Sequence, residues 1–201
     1  MIRIVIAEDQ KLLRGTLRSL LSLEDDLDVV GEAGDGVEAL EVIRRQQPDL
    51  CLLDIEIPFL SGLELAEKLK EEGHAPKIIM VTTFARPGFL QKARELKVEG
   101  YLLKDEPIEF LIDAIRKVMA GGHVISKDLA TALFVKEENP LTEREGDVLR
   151  LSRSGLSTSE IAGQLYLTNG TVRNYLSTAI QKLGVETRQQ ATEKAHDNGW
   201  I

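Results

Sequence analysis

Two adjacent acids, Glu8 and Asp9, follow the apolar run RIVIA, and a third, Asp54, ends LCLLD. A hydroxyl, Thr82, ends KIIMVT, and Lys104 ends EGYLLK. Each of these side chains stands at or directly behind a short β-prone stretch. If those stretches are strands of one parallel sheet, their carboxyl ends share an edge and the five groups converge there. Carboxylates so placed repel one another unless a hard cation joins them, and Mg²⁺ takes such oxygen ligands while keeping several waters. The set suits phosphoryl transfer. Asp54 is the nucleophile that becomes an acyl phosphate, Mg²⁺ and Lys104 neutralise charge on the transferring oxygens, and the Thr82 hydroxyl hydrogen-bonds the product. Taken singly, each acid reads as an ordinary strand end or a member of a structural ion network. The case rests on the set.

The elements that must position these groups are legible in the periodicity. Residues 3–7, 28–32, 50–54, 77–82 and 99–104 read as five strands. Between and after them, Leu13, Leu17, Leu20 and Leu21 share one helical face, as do Leu63, Ala66 and Leu69, and then Leu111, Ala114, Ile115 and Val118. This alternation specifies an α/β fold with a parallel sheet and helices on both faces. It also sharpens the position of Asp54: an ionised group at the end of an apolar strand needs compensation, since burying it costs several kcal/mol on the order of magnitude.

The strand pattern stops near residue 120. AGGHVISKDLATALFVKEENP (120–140) reads as a linker containing a short helix near 126–135. Beyond it, Thr142 with Glu145 and Ser157 with Glu160 fit the S/T-x-x-E capping box, and further helix starts fall at Thr168 and near Thr187. Four short helices result. The stretch 156–185 has the helix-turn-helix order of a capped helix, a turn at Tyr166 and Leu167, and an amphipathic second helix. Between Ile161 and Val185 there is no Asp or Glu, while Arg173 and Lys182 are present, so a DNA backbone meets no like charge there. Two capped helices and a loop also occur in small bundles without nucleic-acid partners.

Composition sets the remaining bounds. The chain has 201 residues, 43% hydrophobic and 29% charged, which suits one large or two smaller globular domains. No apolar run approaches the roughly 20 residues of a membrane span, and the N-terminus carries no signal-peptide pattern. A cytoplasmic chain without membrane insertion is expected. The single cysteine, Cys51, lies in an apolar strand and reads as buried and structural. Net charge is −8, but residues 139–201 hold seven Lys and Arg against seven Asp and Glu, so the deficit lies entirely before them. An acidic module beside a neutral one points to different partners for each.

The motifs AEDQ (7–10), LLDIEIP (52–58) with Gly62, MVTTF (80–84) and GYLLKD (100–105) resemble those of a two-component response-regulator receiver domain over residues 1–120. The resemblance implies a flavodoxin-like sheet of five parallel strands in the order 2-1-3-4-5. It implies that Asp54 accepts phosphate from a sensor histidine kinase, that Glu8, Asp9, Asp54 and the backbone carbonyl of Glu56 serve Mg²⁺, and that Thr82 and Tyr101 form a switch pair beside Lys104. Thr83 is larger than the small residue often found at its position, and Glu56 and Phe84 stand where the family tunes acyl-phosphate lifetime.

Residues 139–151, 156–162, 170–185 and 187–191 resemble the four-helix DNA-binding domain of NarL/FixJ (LuxR-type) transcription factors, over residues 139–201. By that resemblance Arg173, Asn174 and Ser177 face the major groove, with Thr171 and Lys182 nearer phosphates. Ser177 stands where a longer basic residue can occur, and Gly146 departs from the larger residue often found there. The joint resemblance implies a transcription regulator that dimerises on phosphorylation, with helices at 11–22 and 107–119 as contact surfaces. Promoter DNA, a sensor kinase and, as a further candidate, RNA polymerase are its partners. The only chemistry implied is its own phosphoryl transfer and slow autodephosphorylation. Two rivals remain at this level: a Mg²⁺-dependent phosphatase with an aspartyl nucleophile, whose usual second Asp is replaced here by Glu56, and a receiver whose output is protein binding.

Overall fold

The apolar strand-formers resolve as a parallel sheet in the computed structural model, which describes residues 1–73, 76–83, 86–132 and 139–201. Its strands are β1 (Ile2–Ala7), β2 (Leu27–Ala33), β3 (Leu50–Asp54), β4 (Lys77–Thr82), β5 (Gly100–Leu103) and β6 (Val124–Ile125). The order is β2-β1-β3-β4-β5-β6. Helices α1 (Lys11–Leu21), α2 (Gly36–Gln46), α3 (Gly62–Glu71), α4 (Pro87–Glu95) and α5 (Ile108–Met119) follow β1 to β5 in turn. Each connection is therefore a βαβ crossover, which explains the parallel pairing. Alternate residues of the central strands face opposite ways. Ile4, Ile6, Leu50, Leu52, Ile79 and Leu102 form one core with Leu21 of α1 and Leu111, Ile115 and Val118 of α5. Central strand β3 is buried throughout, including Cys51, whose thiol burial pushes well up.

The sheet has six strands, one more than the five expected. The addition, β6, pairs parallel to β5 through Gly100 with Val124 and Tyr101 with Ile125. Two residues behind paired glycines carry no period, which is why the sequence reads there as linker. Helix α6 (Lys127–Ala132) follows directly. The expected helix at 126–135 thus appears in its described part, while residues 133–138 and Phe84 lie outside the described residues.

The chain divides into two compact units, and the second contains residues 139–201. It is all-helical: α7 (Glu143–Arg153), α8 (Thr158–Leu165), α9 (Asn169–Leu183) and α10 (Arg188–Asp197). Capping boxes at Thr142/Glu145 and Ser157/Glu160 open α7 and α8, and Thr187/Gln190 opens α10 in the same way. Val148, Leu149, Ile161, Val172, Ala179 and Ala191 meet in its core.

Candidate phosphorylation site and nucleic-acid interface

Parallel register brings the chemically capable side chains to one edge. Asp54 is the last residue of β3, opposite Val81, and Thr82 is the last of β4, opposite Leu103. Glu8 continues β1, and its backbone N–H donates to Ala33 at the end of β2. Lys104 continues β5, and its backbone N–H donates to the Thr82 carbonyl at 2.8 Å. The Lys104 ammonium then lies 2.9 Å from Asp54 Oδ2 and 2.8 Å from Glu8 Oε2, bridging two buried carboxylates. The second oxygen of each carboxylate accepts from backbone: Asp54 Oδ1 from the Glu56 N–H at 3.3 Å, and Glu8 Oε1 from the Gln10 N–H at 3.1 Å.

The electrostatics follow from this crowding. Burial pushes the Glu8 carboxyl above the usual carboxylate range, and the Asp54 charge adds to that, against the opposing pull of Lys104. For Lys104, burial works against the charged form, but its hydrogen bonds to Glu8 and Asp54 outweigh it and raise the ammonium's pKa. One lysine thus serves two acids. Asp9, beside them, is exposed.

Glu8, Asp9 and Asp54 each offer a carboxylate oxygen, all within 4.8 Å of one another. An all-oxygen set with two buried members and one open to solvent matches what Mg²⁺ requires, namely a few carboxylates and room for retained waters. Thr82 and Tyr101 are both buried, Tyr101 on β5 opposite Met80, whereas Thr83 is exposed. The β3–α3 loop passes close over the site. Phe59 adopts a left-handed backbone with φ of 64°. A Cβ on Gly62 would lie only 2.2 Å from the Asp54 carbonyl oxygen. Only glycine lets α3 begin against the strand end that carries Asp54.

Two neighbours of the site are not evident in the sequence. The Arg14 guanidinium donates to the Glu8 carbonyl oxygen and pairs with Glu32 at 3.8 Å. Its position one turn into α1, five residues after Asp9, is a weak signal. Ser126, fully buried behind β6, accepts from the Leu103 N–H. Nothing in the sequence separates it from other linker serines.

In the second unit, α9 turns Val172, Leu176, Ala179 and Leu183 inward, leaving Arg173, Asn174 and Ser177 exposed together. Thr168 caps α9 by accepting from the Thr171 N–H at 3.1 Å, and the two threonine hydroxyls lie 2.9 Å apart. The Lys182 ammonium is 2.8 Å from Glu145 Oε2, so it is engaged with the cap of α7. Tyr166, which ends α8, has a left-handed φ of 56° and is 96% exposed. Arg188 donates to Ser152 Oγ and to the Leu156 carbonyl, pinning the turn between α7 and α8.

Known proteins share both units. Residues 4–116 match the response regulator receiver domain model, and residues 139–195 match bacterial regulatory proteins of the luxR family. Over all 201 residues, and the whole of each relative, the chain is 50% identical to the uncharacterized transcriptional regulatory protein YvfU and to the transcriptional regulatory protein DesR, both of Bacillus subtilis. Among solved structures, response regulator ChrA of a heme-sensing two-component system is 32% identical, with a TM-score of 0.59 over 100% of this chain and 98% of that one. No helix among the described residues is long and apolar enough to cross a membrane. The chain belongs to the two-component response regulators with a LuxR-type helix-turn-helix DNA-binding domain, which are transcription factors and not classical enzymes.

Proposed function

We propose that Asp54 is the phosphoacceptor, taking a phosphoryl group from the histidine of a sensor kinase. The observation that carries this is the Lys104 ammonium held between Asp54 and Glu8 at the sheet edge. Attack of an Asp54 carboxylate oxygen on phosphorus forms the acyl phosphate and returns the electron pair to the kinase imidazole. Lys104 stays beside the transferring oxygens, where its charge offsets theirs. Glu8, Asp9, Asp54 and the Glu56 backbone carbonyl would hold Mg²⁺, which supplies further charge neutralisation when bound. The hydroxyl of Thr82 moves to the new phosphate, and the ring of Tyr101 turns inward. Slow loss of the phosphate to water is the only turnover of its own.

Residues 1–120 act as receiver, 121–138 as linker and 139–201 as DNA-binding domain. Arg173, Asn174 and Ser177 enter the major groove, with Thr171 and Lys182 at the phosphates. The second unit is electrically neutral, so a monomer holds DNA weakly. Phosphorylation favours a homodimer through α1 and α5, and pairing two units on adjacent half-sites raises promoter occupancy. The protein works in the cytoplasm. Kinship with DesR extends the proposal to control of membrane-lipid desaturation under a DesK-like kinase. Because YvfU stands at the same identity, that extension is decided by whether desaturase transcripts change when the gene is deleted.

The central test is incubation with Mg²⁺ and acetyl phosphate, followed by a phosphate-affinity gel and by sizing with and without DNA. Wild type is expected to shift and Asp54→Ala not to shift. Equal labelling of both would remove Asp54 from the mechanism, and labelling without a change in assembly or DNA affinity would remove the coupling.

A further inference from the structure

The sixth strand, at the start of the linker, pairs with β5, the strand that Lys104 follows. After Ile125 the pairing of β6 with β5 ends, and the next donor on that edge of β5, the Leu103 N–H, has no strand residue to meet it. The hydroxyl of Ser126 takes that place, accepting from Leu103 at 3.1 Å. Ser126 also donates its own N–H to the Tyr101 carbonyl at 3.1 Å. Its carbonyl accepts from Ala130 at 3.0 Å, closing the first turn of α6. One fully buried serine therefore ties Tyr101 and Leu103, the residues of β5 on either side of Leu102, to helix α6 within the linker. A buried amide without such an acceptor is strongly disfavoured.

Across the same stretch of β5 lies the site itself. Lys104 follows Leu103 directly, gives its N–H to Thr82, and gives its ammonium to Asp54 and Glu8. The segment 101–104 is thus held on one side by Thr82 and on the other by Ser126. Any shift of Lys104 that accommodates new charge on Asp54 strains the Leu103–Ser126 bond or carries Ser126 with it. Such discrete hydrogen-bonded contacts are the kind of element through which two sites bias one another.

We propose that Ser126 is a positioning residue that couples the state of Asp54 to α6, within the linker, through its paired bonds to Leu103 and Tyr101. This rests on Asp54 being the phosphoacceptor, and it places the output route at the β5–β6 edge of the sheet.

The test uses the full-length chain with acetyl phosphate and Mg²⁺, comparing wild type with Ser126→Ala, and Ser126→Thr with Ser126→Val. The last two have the same shape and differ in the hydroxyl, so any overpacking acts on both alike. Three quantities are read: labelling of Asp54, amide hydrogen exchange over 124–132, and the ratio of DNA affinities with and without phosphate. The DNA is a duplex selected by phosphorylated wild type from a random library. Wild type and Ser126→Thr are expected to change α6 exchange on labelling. Ser126→Ala and Ser126→Val should label normally, show no α6 response, and lose about fivefold or more of the affinity ratio, the lower range of allosteric coupling. Labelled Ala and Val variants that keep the wild-type response would overturn the role of Ser126 and leave Asp54 untouched. Absence of labelling in wild type would instead remove the phosphoacceptor reading, and this inference with it.

Discussion

The Lys182 ammonium lies 2.8 Å from the Glu145 carboxylate, and that carboxylate also accepts from the Thr142 N–H at 2.7 Å to close the capping box of α7. A cation on α9 is thereby bonded to the start of another helix, 37 residues away in sequence. Burial raises the Glu145 pKa, but Lys182 and the Thr142 N–H and hydroxyl outweigh it, so the carboxyl sits below its usual range. A carboxyl depressed in the folded state contributes stability above its unfolded value of about 4.3, lost as pH falls through the lower folded value. The second unit should therefore weaken in acid, its midpoint falling from about pH 5 downward. Trp200, the single tryptophan, packs on that unit's core and reports its melting by fluorescence. Glu145→Gln should flatten the acid limb. At neutral pH, Lys182→Met should cost roughly 1–3 kcal/mol by leaving a buried carboxylate short of a partner. An unchanged acid limb in the glutamine variant would show that the pair contributes nothing.

Gly62 gives a second expectation, set by backbone and not by charge. The Cβ of an alanine there would meet the Asp54 carbonyl oxygen at 2.2 Å, and no rotamer relieves a clash with main chain. Either α3 or the end of β3 must move. Gly62→Ala should cost the first unit roughly 1–3 kcal/mol, as overpacking does, and slow labelling of Asp54 by acetyl phosphate. Circular dichroism melting and labelling rates measure the two effects. Normal labelling together with a normal melt would mean that the loop tolerates the displacement.

Gly146 behaves in the opposite way. It sits inside α7, where a Cβ would have only ordinary contacts, with Arg150 Nη2 at 3.5 Å and Ile201 Cγ2 at 3.8 Å. Alanine fits without displacement and narrows the unfolded ensemble. Gly146→Ala should stabilise the second unit by about 0.5–1 kcal/mol, seen as a higher Trp200 midpoint with DNA affinity unchanged. A lower midpoint would show that α7 needs the glycine.

Much of this was legible because strands and cap motifs leave local signatures. Asp54, Thr82 and Lys104 each end an apolar run, so a parallel sheet alone brings them together. The capping boxes at Thr142 and Ser157 fixed the helix starts to within a residue. What stayed hidden depends on partners distant in sequence. β6 is two residues long, too short for any period to show, and its existence is decided by the open edge of β5. The Ser126 bond spans 23 residues, and the Lys182–Glu145 pair spans 37. Arg14 was invisible for another reason: its acceptor is a backbone carbonyl, which carries no residue-specific signal.

The exposed triad on α9 yields the last expectation. Arg173, Asn174 and Ser177 share one face, with Val172 and Leu176 anchoring the other in the core. No acid lies between Ile161 and Val185 to oppose DNA there. Arg173 belongs to the first turns of α9, the part of a recognition helix that reaches base edges. Its loss should cost about 1–3 kcal/mol and relax preference at one base position, whereas loss of a phosphate contact would weaken all sequences evenly and reduce the salt slope by about one. Arg173→Ala is therefore expected to reduce discrimination among duplexes while labelling of Asp54 stays normal. Ser177 is short, so Ser177→Arg adds a charge on the same face and should tighten binding to unrelated duplexes, with a steeper salt dependence. Titrations of both variants at several salt concentrations separate these outcomes. If Arg173→Ala binds every duplex as wild type does and Ser177→Arg leaves the salt slope unchanged, α9 does not face the DNA.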